Sequence, residues 1–106
     1  MHRGSVVSVS LPGAYGKPRP ALVIQSNLLS ELDSIIICPI TSEIREAAFR
    51  VLVEPDTTNG LHTQSQVMVD KISTLPKVRV GPVFGRLDRA TIQAVERALL
   101  VVTGIA

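Results

Sequence analysis

Two apolar runs separated by a short polar segment dominate the pattern of the chain. Residues 21–24 read Ala-Leu-Val-Ile, and residues 35–40 read Ile-Ile-Ile-Cys-Pro-Ile. Unbroken apolar runs of this length, bounded by turn-forming residues, are typical of buried strands. If the two strands pair as antiparallel neighbours, facing residue numbers sum to about 60, which places Arg19 beside Thr41 at one sheet edge.

Period-two alternation predicts a meander of short antiparallel strands around this pair. A first strand at residues 6–9 ends at an irregular loop, residues 11–18, because Pro and Gly at that density cannot maintain a sheet ladder. Leu-Pro-Lys at residues 75–77 is expected to break the sheet. The other predicted strands lie at residues 19–25, 34–41, 49–54, 66–71 and 78–85.

Near the C-terminus the apolar period changes to about 3.6, which predicts a helix over Arg89–Val102. Asp88 is suited to cap its start, and Gly104 is suited to end it. The stripe expected to face the core contains Ile92, Val95, Leu99 and Val102. Five or six short strands followed by a helix predict a mainly β fold with a C-terminal helix, specifically a small SH3-like barrel.

Length and composition place the chain in the class of single globular domains. Its 106 residues predict one domain spanning residues 1–106, and a hydrophobic fraction of 45% is enough for one core. No apolar run reaches the ~18 residues that span a bilayer, and the first residues do not resemble a signal peptide, so we expect a cytoplasmic protein. Cys38 is the single cysteine and is expected to be a buried, reduced thiol. No His, Asp or Glu residues show metal-ligand spacing, so the sequence predicts no metal and no cofactor.

Arg19 and Thr41 are the strongest candidates for a functional site. The planar guanidinium matches phosphate oxygens, and threonine adds a stiff hydroxyl, so the pair is suited to holding a phosphodiester. The alternative is an ordinary arginine at the start of a strand and an ordinary threonine at the end of one. The charge of +2 and the isoelectric point near 9.1 permit a polyanionic partner without identifying it.

Other polar residues have weaker signals. His62 follows an Asn-Gly turn and could exchange protons near neutral pH, but a solvated turn histidine is the simpler explanation. Tyr15 could stack on a base from the first loop. Glu43, Arg45 and Glu46 form a charged loop, which is most simply a solvated hinge, with an RNA-binding lid as the alternative.

Four segments, in order along the chain, carry a resemblance to a known family. They read Arg-Gly-Ser-Val-Val from residue 3, Arg-Pro-Ala-Leu-Val-Ile-Gln from residue 19, Pro-Ile-Thr-Ser from residue 39 and Ser-Gln-Val-Met-Val-Asp-Lys-Ile from residue 65. This ordered set resembles the MazF/PemK family of bacterial toxin endoribonucleases. The resemblance covers nearly the whole chain and supports the functional interpretation of Arg19 and Thr41.

The resemblance implies metal-independent, sequence-selective cleavage of single-stranded RNA, in which the 2′-hydroxyl attacks the adjacent phosphate to leave a 2′,3′-cyclic phosphate and a 5′-hydroxyl. Arg19 would stabilise charge on the phosphate, and Thr41 would hydrogen-bond to it. Because the high pKa of an arginine makes it a poor base, the general base stays unassigned. Five further residues are candidates for RNA-binding or supporting roles: Lys17, Ser42, Asp70, Tyr15 and His62.

One branch of the family carries its base and acid as a histidine in the first loop and an arginine two residues before the later aspartate. This chain has Tyr15 and Lys17 in that loop and Met68 before Asp70, so those two roles do not carry over. Asp70 itself matches the motif, with a role either in orienting Arg19 or RNA or in bonding the backbone at a strand end.

The resemblance further implies a homodimer that is neutralised by an acidic antitoxin, with Lys17, Arg19, Arg45 and Lys71 available to an acidic peptide. Two alternatives remain open at this point. A gyrase poison of the CcdB kind shares the fold and a similar tail at residues 103–105, but its contact depends on a tryptophan that this chain lacks. A non-catalytic SH3-like binding module would explain the missing base.

Overall fold

The computed structural model describes residues 1–11 and 17–106. Within them the chain forms an antiparallel sheet of seven strands followed by a C-terminal α-helix, which confirms the predicted fold class. The elements are β1 (Ser5–Val9), β2 (Arg19–Val23), β3 (Ser34–Thr41), β4 (Arg50–Val53), β5 (Ser65–Met68), β6 (Ser73–Pro76), β7 (Val80–Arg86) and α1 (Arg89–Val102). Short 3₁₀ turns lie at Asn27–Leu29, Val69–Lys71 and Lys77–Arg79.

The long strand β3 organises the sheet. The strand order is β4-β5-β3-β2-β1-β7, and β6 adds to β3 outside this order. The first half of β3 pairs with β6, and its last two residues pair with β5. Because one edge of β3 serves two different partners, the sheet divides there and bends around the core.

Two hydrophobic clusters lie on opposite faces of the central strands. Val6, Leu22 and Cys38 belong to the cluster that α1 covers, whereas their neighbours Val7 and Ala21 belong to the other cluster. Successive residues of a strand point to opposite faces, so both faces of β1, β2 and β3 are buried. This double burial explains why their sequences are unbroken apolar runs.

Helix α1 begins and ends where the sequence predicts. The Asp88 carboxylate accepts a hydrogen bond of 2.7 Å from the backbone N–H of Thr91, which caps the first turn. At the other end Gly104 has a φ of +76°, the left-handed conformation that commonly follows a helix. Val95 is buried, and the rest of the predicted stripe, Ile92, Leu99 and Val102, packs against the same cluster.

One predicted break in the sheet and two predicted strands need correction. The segment expected to break the sheet forms β6, with Pro76 as its last residue opposite Ser34. The strand predicted at 66–71 ends at Met68, because Val69–Lys71 turns into a 3₁₀ helix. The strand predicted at 78–85 begins at Val80, because Lys77–Arg79 also forms a 3₁₀ helix. The strand at 34–41 has the predicted bounds, and those at 19–25 and 49–54 are shorter by one or two residues at their ends.

Candidate active site

A cavity of about 880 Å³ opens where β2 begins and β3 ends. Arg19 and Thr41 both line it, together with Ser42 and His62. In the antiparallel pairing of the two strands Ala21 lies opposite Pro39, and the same register extended by two residues places Arg19 across from Thr41. The predicted cation and hydroxyl therefore share one wall of one cavity.

The backbone at Arg19 is restricted on both sides. Arg19 lies between Pro18 and Pro20, and a residue before proline is confined to extended conformations. Its side chain is exposed, and among residues 1–11 and 17–106 no carboxylate forms an ion pair with it. The backbone of Arg19 is therefore held in an extended conformation, and its guanidinium donors are free to bind an anion.

The hydroxyl of Thr41 is oriented by the chain that follows it. Its oxygen accepts a 3.1 Å hydrogen bond from the backbone N–H of Glu43. This bond uses the oxygen as an acceptor and leaves the O–H available as a donor. Thr41 is therefore a pre-oriented donor at the edge of the cavity.

The charged segment at residues 42–48 is held against the sheet by a buried amide. Gln66, the β5 partner of Thr41, accepts a 3.0 Å hydrogen bond from the Arg45 N–H and donates one of 2.8 Å to the Arg45 carbonyl. Ser42 and Glu43 line the cavity, and the Glu43 carboxylate forms an ion pair with Arg45. The segment therefore lines the cavity at Ser42 and Glu43 and is anchored to the sheet at Arg45.

His62 enters the cavity wall from a tightly bonded turn. The buried Asn59 side chain accepts hydrogen bonds from the N–H groups of Asp56 and Leu61, at 3.1 and 3.0 Å, and donates one of 2.8 Å to the Glu54 carbonyl. These three bonds hold the backbone on both sides of the turn. His62 follows directly, with an exposed side chain.

The close fit of this turn against β7 requires glycine. Gly60 has a φ of +70°, as its Asn-Gly sequence predicts, and a Cβ there would lie 2.4 Å from the Phe84 carbonyl oxygen. A Cβ at Gly85 would lie 2.1 Å from the Asn59 carbonyl oxygen. The turn is consequently packed directly on a strand, and Gly60 and Phe84 line the cavity with His62.

The other predicted site residues lie elsewhere. Asp70 pairs with Arg50, with oxygen–nitrogen distances of 2.9 and 3.3 Å, and within the described residues its carboxylate accepts no hydrogen bond from Arg19 or from the backbone. Lys17 is exposed and is not among the described residues that line the cavity. Tyr15 lies outside the described residues. The structure therefore brings together Arg19, Thr41, Ser42 and His62 from the predicted set.

Cys38 is a buried, free thiol, as the sequence predicts. Burial and, to a smaller extent, the nearby Asp70 carboxylate together raise its pKa to about 12. A thiol held protonated in this way is a core side chain and not a nucleophile. Within the described residues no three His, Cys, Asp or Glu side chains are grouped as metal ligands, and no helix is long and apolar enough to cross a membrane.

Sequence reasoning missed the residues that position the site. Gln66 and Asn59 are buried amides whose partners are backbone groups, and Phe84 reaches the cavity from a strand that is distant in sequence. The Asn-Gly turn was a usable signal for Asn59. No sequence signal identified Gln66, because its role depends on the β3–β5 pairing.

Comparison with known proteins assigns the chain to a class of toxins. A family model described as PemK-like, MazF-like toxin of type II toxin–antitoxin systems matches residues 2–103. The chain belongs to this family. This assignment confirms the resemblance seen in the sequence and favours it over the gyrase-poison alternative.

Individual relatives extend the match over the full length. A probable endoribonuclease MazF of Mycolicibacterium smegmatis is 38% identical over 108 residues, covering 100% of this chain and 99% of its own. Endoribonuclease EndoA of Bacillus subtilis is 29% identical, covering 93% and 90%. The structure of the Mycobacterium tuberculosis toxin MazF-mt6 superposes with a TM-score of 0.83 at 26% identity, covering 94% of this chain and 96% of its own.

Proposed function

We propose that the protein is an endoribonuclease toxin that cleaves single-stranded RNA, including cytoplasmic mRNA, without a metal ion. The observation that carries the proposal is the presence of Arg19 and Thr41 on one wall of the 880 Å³ cavity, with the guanidinium free of carboxylates in the described chain. Relatives that match 93% or more of the chain are named endoribonucleases, which supports the same reaction class.

In the proposed reaction the ribose 2′-oxygen forms a bond to the adjacent phosphorus while the bond from phosphorus to the 5′-oxygen breaks. Negative charge builds up on the non-bridging phosphate oxygens in the transition state. The Arg19 fork stabilises that charge, and the Thr41 hydroxyl donates a hydrogen bond to the same phosphate. The products are a 2′,3′-cyclic phosphate and a 5′-hydroxyl.

The test of this function is RNA cleavage in the presence of EDTA. We expect the purified protein to cut single-stranded RNA at the same rate with and without the chelator, because Arg19 supplies the positive charge that a metal ion would otherwise provide. The fragments should accept label from polynucleotide kinase without prior phosphatase treatment, since their 5′ ends are hydroxyls. Activity that disappears with EDTA and returns with Mg²⁺ would refute this mechanism. A protein that leaves RNA intact under all conditions would instead support the non-catalytic binding module.

We further propose that the protein acts as a homodimer with the RNA groove along the subunit boundary. The terminal strand β7 pairs with β1 on one side, and its residues Val83 and Phe84 are 48% and 41% exposed. Exposed apolar side chains on an edge strand favour association with another chain. Because Phe84 also lines the cavity, an interface at β7 would lie next to the site.

The proposed inhibitor is an acidic antitoxin segment that occupies the cavity. A solved relative at 23% identity and a TM-score of 0.85 is described as an endoribonuclease in complex with its cognate antitoxin. Arg19 together with the overall charge of +2 would attract such a segment.

Sedimentation and competition experiments test both partners. We expect a dimer at micromolar concentration, and we expect an antitoxin that blocks RNA cleavage with an affinity that falls as salt is raised. A strict monomer would contradict the first expectation. An acidic partner that binds while cleavage continues unchanged would contradict the second.

A further inference from the structure

The proposed site contains a phosphate-binding pair without a group that removes the 2′-proton. A guanidinium has no acceptor for a proton, and a threonine hydroxyl is a weak one, so neither Arg19 nor Thr41 is suited to act as a general base. We propose that His62 is the general base of this protein. The inference rests on the proposed ribonuclease function and adds to it the residue that starts the reaction.

The first argument is the chemistry of the cavity wall. Among the described residues that line the cavity, the side chains that can accept a proton are Glu43 and His62. One oxygen of the Glu43 carboxylate is paired with the guanidinium of Arg45 at the surface, and that ion pair makes the carboxylate a weaker proton acceptor. Within the same residues no side chain or backbone group is hydrogen-bonded to the His62 imidazole. Of the two acceptors, His62 is therefore the one whose side chain forms no ion pair or hydrogen bond within the described residues.

The second argument is the rigidity of the backbone that carries it. The backbone of the turn before His62 is held in place, because Asn59 bonds three backbone groups and Gly60 is packed on Phe84. The backbone of His62, two residues beyond Gly60, is therefore held at the cavity wall, and only rotation about the side-chain bonds moves its imidazole. This is the pre-organisation that proton transfer within a bound complex requires.

The proton balance of the step is simple. The neutral imidazole nitrogen accepts the 2′-hydroxyl proton as the 2′-oxygen bonds to phosphorus, and the departing 5′-oxygen takes a proton from water. The imidazolium then returns its proton to the resulting hydroxide. No oxidant, reductant or metal ion takes part.

The experiment compares His62→Ala with His2→Ala, since these are the two histidines of the chain. His2 is exposed and is not among the described residues that line the cavity, so its removal controls for a general loss of imidazole. We expect His62→Ala to lower the turnover number by about a hundredfold or more, the range found for loss of a general base. We expect His2→Ala to match the wild type.

Two further measurements separate catalysis from binding. Added imidazole should partly restore turnover by His62→Ala, because a small base can enter the space left by the side chain. RNA methylated at the 2′-oxygen cannot react. The wild type and His62→Ala should bind it with the same affinity. A loss confined to this affinity, with turnover intact, would make His62 a binding residue and overturn the inference.

A modified substrate distinguishes the base from the acid. RNA with sulfur in place of the 5′-bridging oxygen has a leaving group that needs no protonation, so a variant that lacks the acid recovers on it and one that lacks the base does not. Recovery of His62→Ala on this substrate would therefore overturn the assignment as base.

Cleavage of ordinary RNA separates the inference from the proposed function. If His62→Ala cleaves ordinary RNA normally, the inference fails while the proposed function stands. If the wild type cleaves no RNA, the proposed function itself fails.

Discussion

Thr41 bonds the backbone of the next segment through its side-chain oxygen and also lines the cavity. Its position at the end of β3 could be predicted because the apolar run before it is long and ends at a polar residue. Its bond from the Glu43 N–H could not be predicted, since a threonine at a strand end has several backbone partners within reach. The bond gives the hydroxyl a defined direction in the structure.

Replacing Thr41 tests this dual role. Thr41→Val removes the hydroxyl with little change in shape, so it should lower turnover by about tenfold to a hundredfold, less than the loss of a charged contact. Thr41→Ser keeps the donor and should retain most of the activity. The measurement is steady-state cleavage of a defined RNA, with the melting temperature as a check on folding. Equal activity of the valine and serine variants would show that the hydroxyl does not contact the phosphate.

Asp70 shows where a motif and a geometry diverge. The family motif made this carboxylate a candidate for orienting Arg19, but the turn at Val69–Lys71 directs it to Arg50 on β4. Its side chain is 27% exposed and that of Arg50 is 11% exposed, so the pair lies at the edge of the core. Sequence matching identified the residue, whereas its partner depended on a strand end that was predicted three residues too late.

At the level of elements, the predictions were best where apolar periodicity was strong and unambiguous. β3 and α1 have the expected bounds because one is a continuous apolar run and the other has a cap, a stripe and a terminating glycine. β6 was missed because Pro76 suggests an interruption. Proline is compatible with the last position of a strand, which is where Pro76 lies.

The 42–48 segment provides a test at this scale. Gln66→Ala should free the backbone of Arg45, which loses both of its bonds to the buried amide. We expect the free energy of unfolding to fall by about 1 to 3 kcal/mol, and the amides of the segment to exchange hydrogen faster than in the wild type. Cleavage should also slow, because Ser42 and Glu43 would no longer form a fixed wall.

Gln64→Ala is the matched control for this change. Gln64 lies two residues earlier and is exposed, with its amide bonded to the Glu54 carboxylate at the surface. We expect wild-type stability, exchange and cleavage from this variant. Unchanged amide exchange in Gln66→Ala would show that the segment is held by other contacts.

At the scale of the whole molecule, composition indicated a single globular domain but did not identify a function. The charge of +2 is compatible with RNA but too small to predict it, and the family relation came from ordered motifs. The cavity depends on residues from distant parts of the chain, including Phe84 of β7 beside Gly60 of the preceding turn. Its walls required the three-dimensional packing, although Arg19 and Thr41 were predicted from strand register.

The central claim is that Arg19 stabilises the charge on the cleaved phosphate. The most direct measurement is the cleavage rate of Arg19→Ala on single-stranded RNA in EDTA, with Arg97→Ala, an exposed helix substitution, as the matched control. Loss of one charged contact in the transition state costs about 3 to 4 kcal/mol, so we predict at least a hundredfold lower turnover for Arg19→Ala with an unchanged melting temperature. Arg97→Ala should cleave at the wild-type rate. Normal turnover by a folded Arg19→Ala protein would contradict the account.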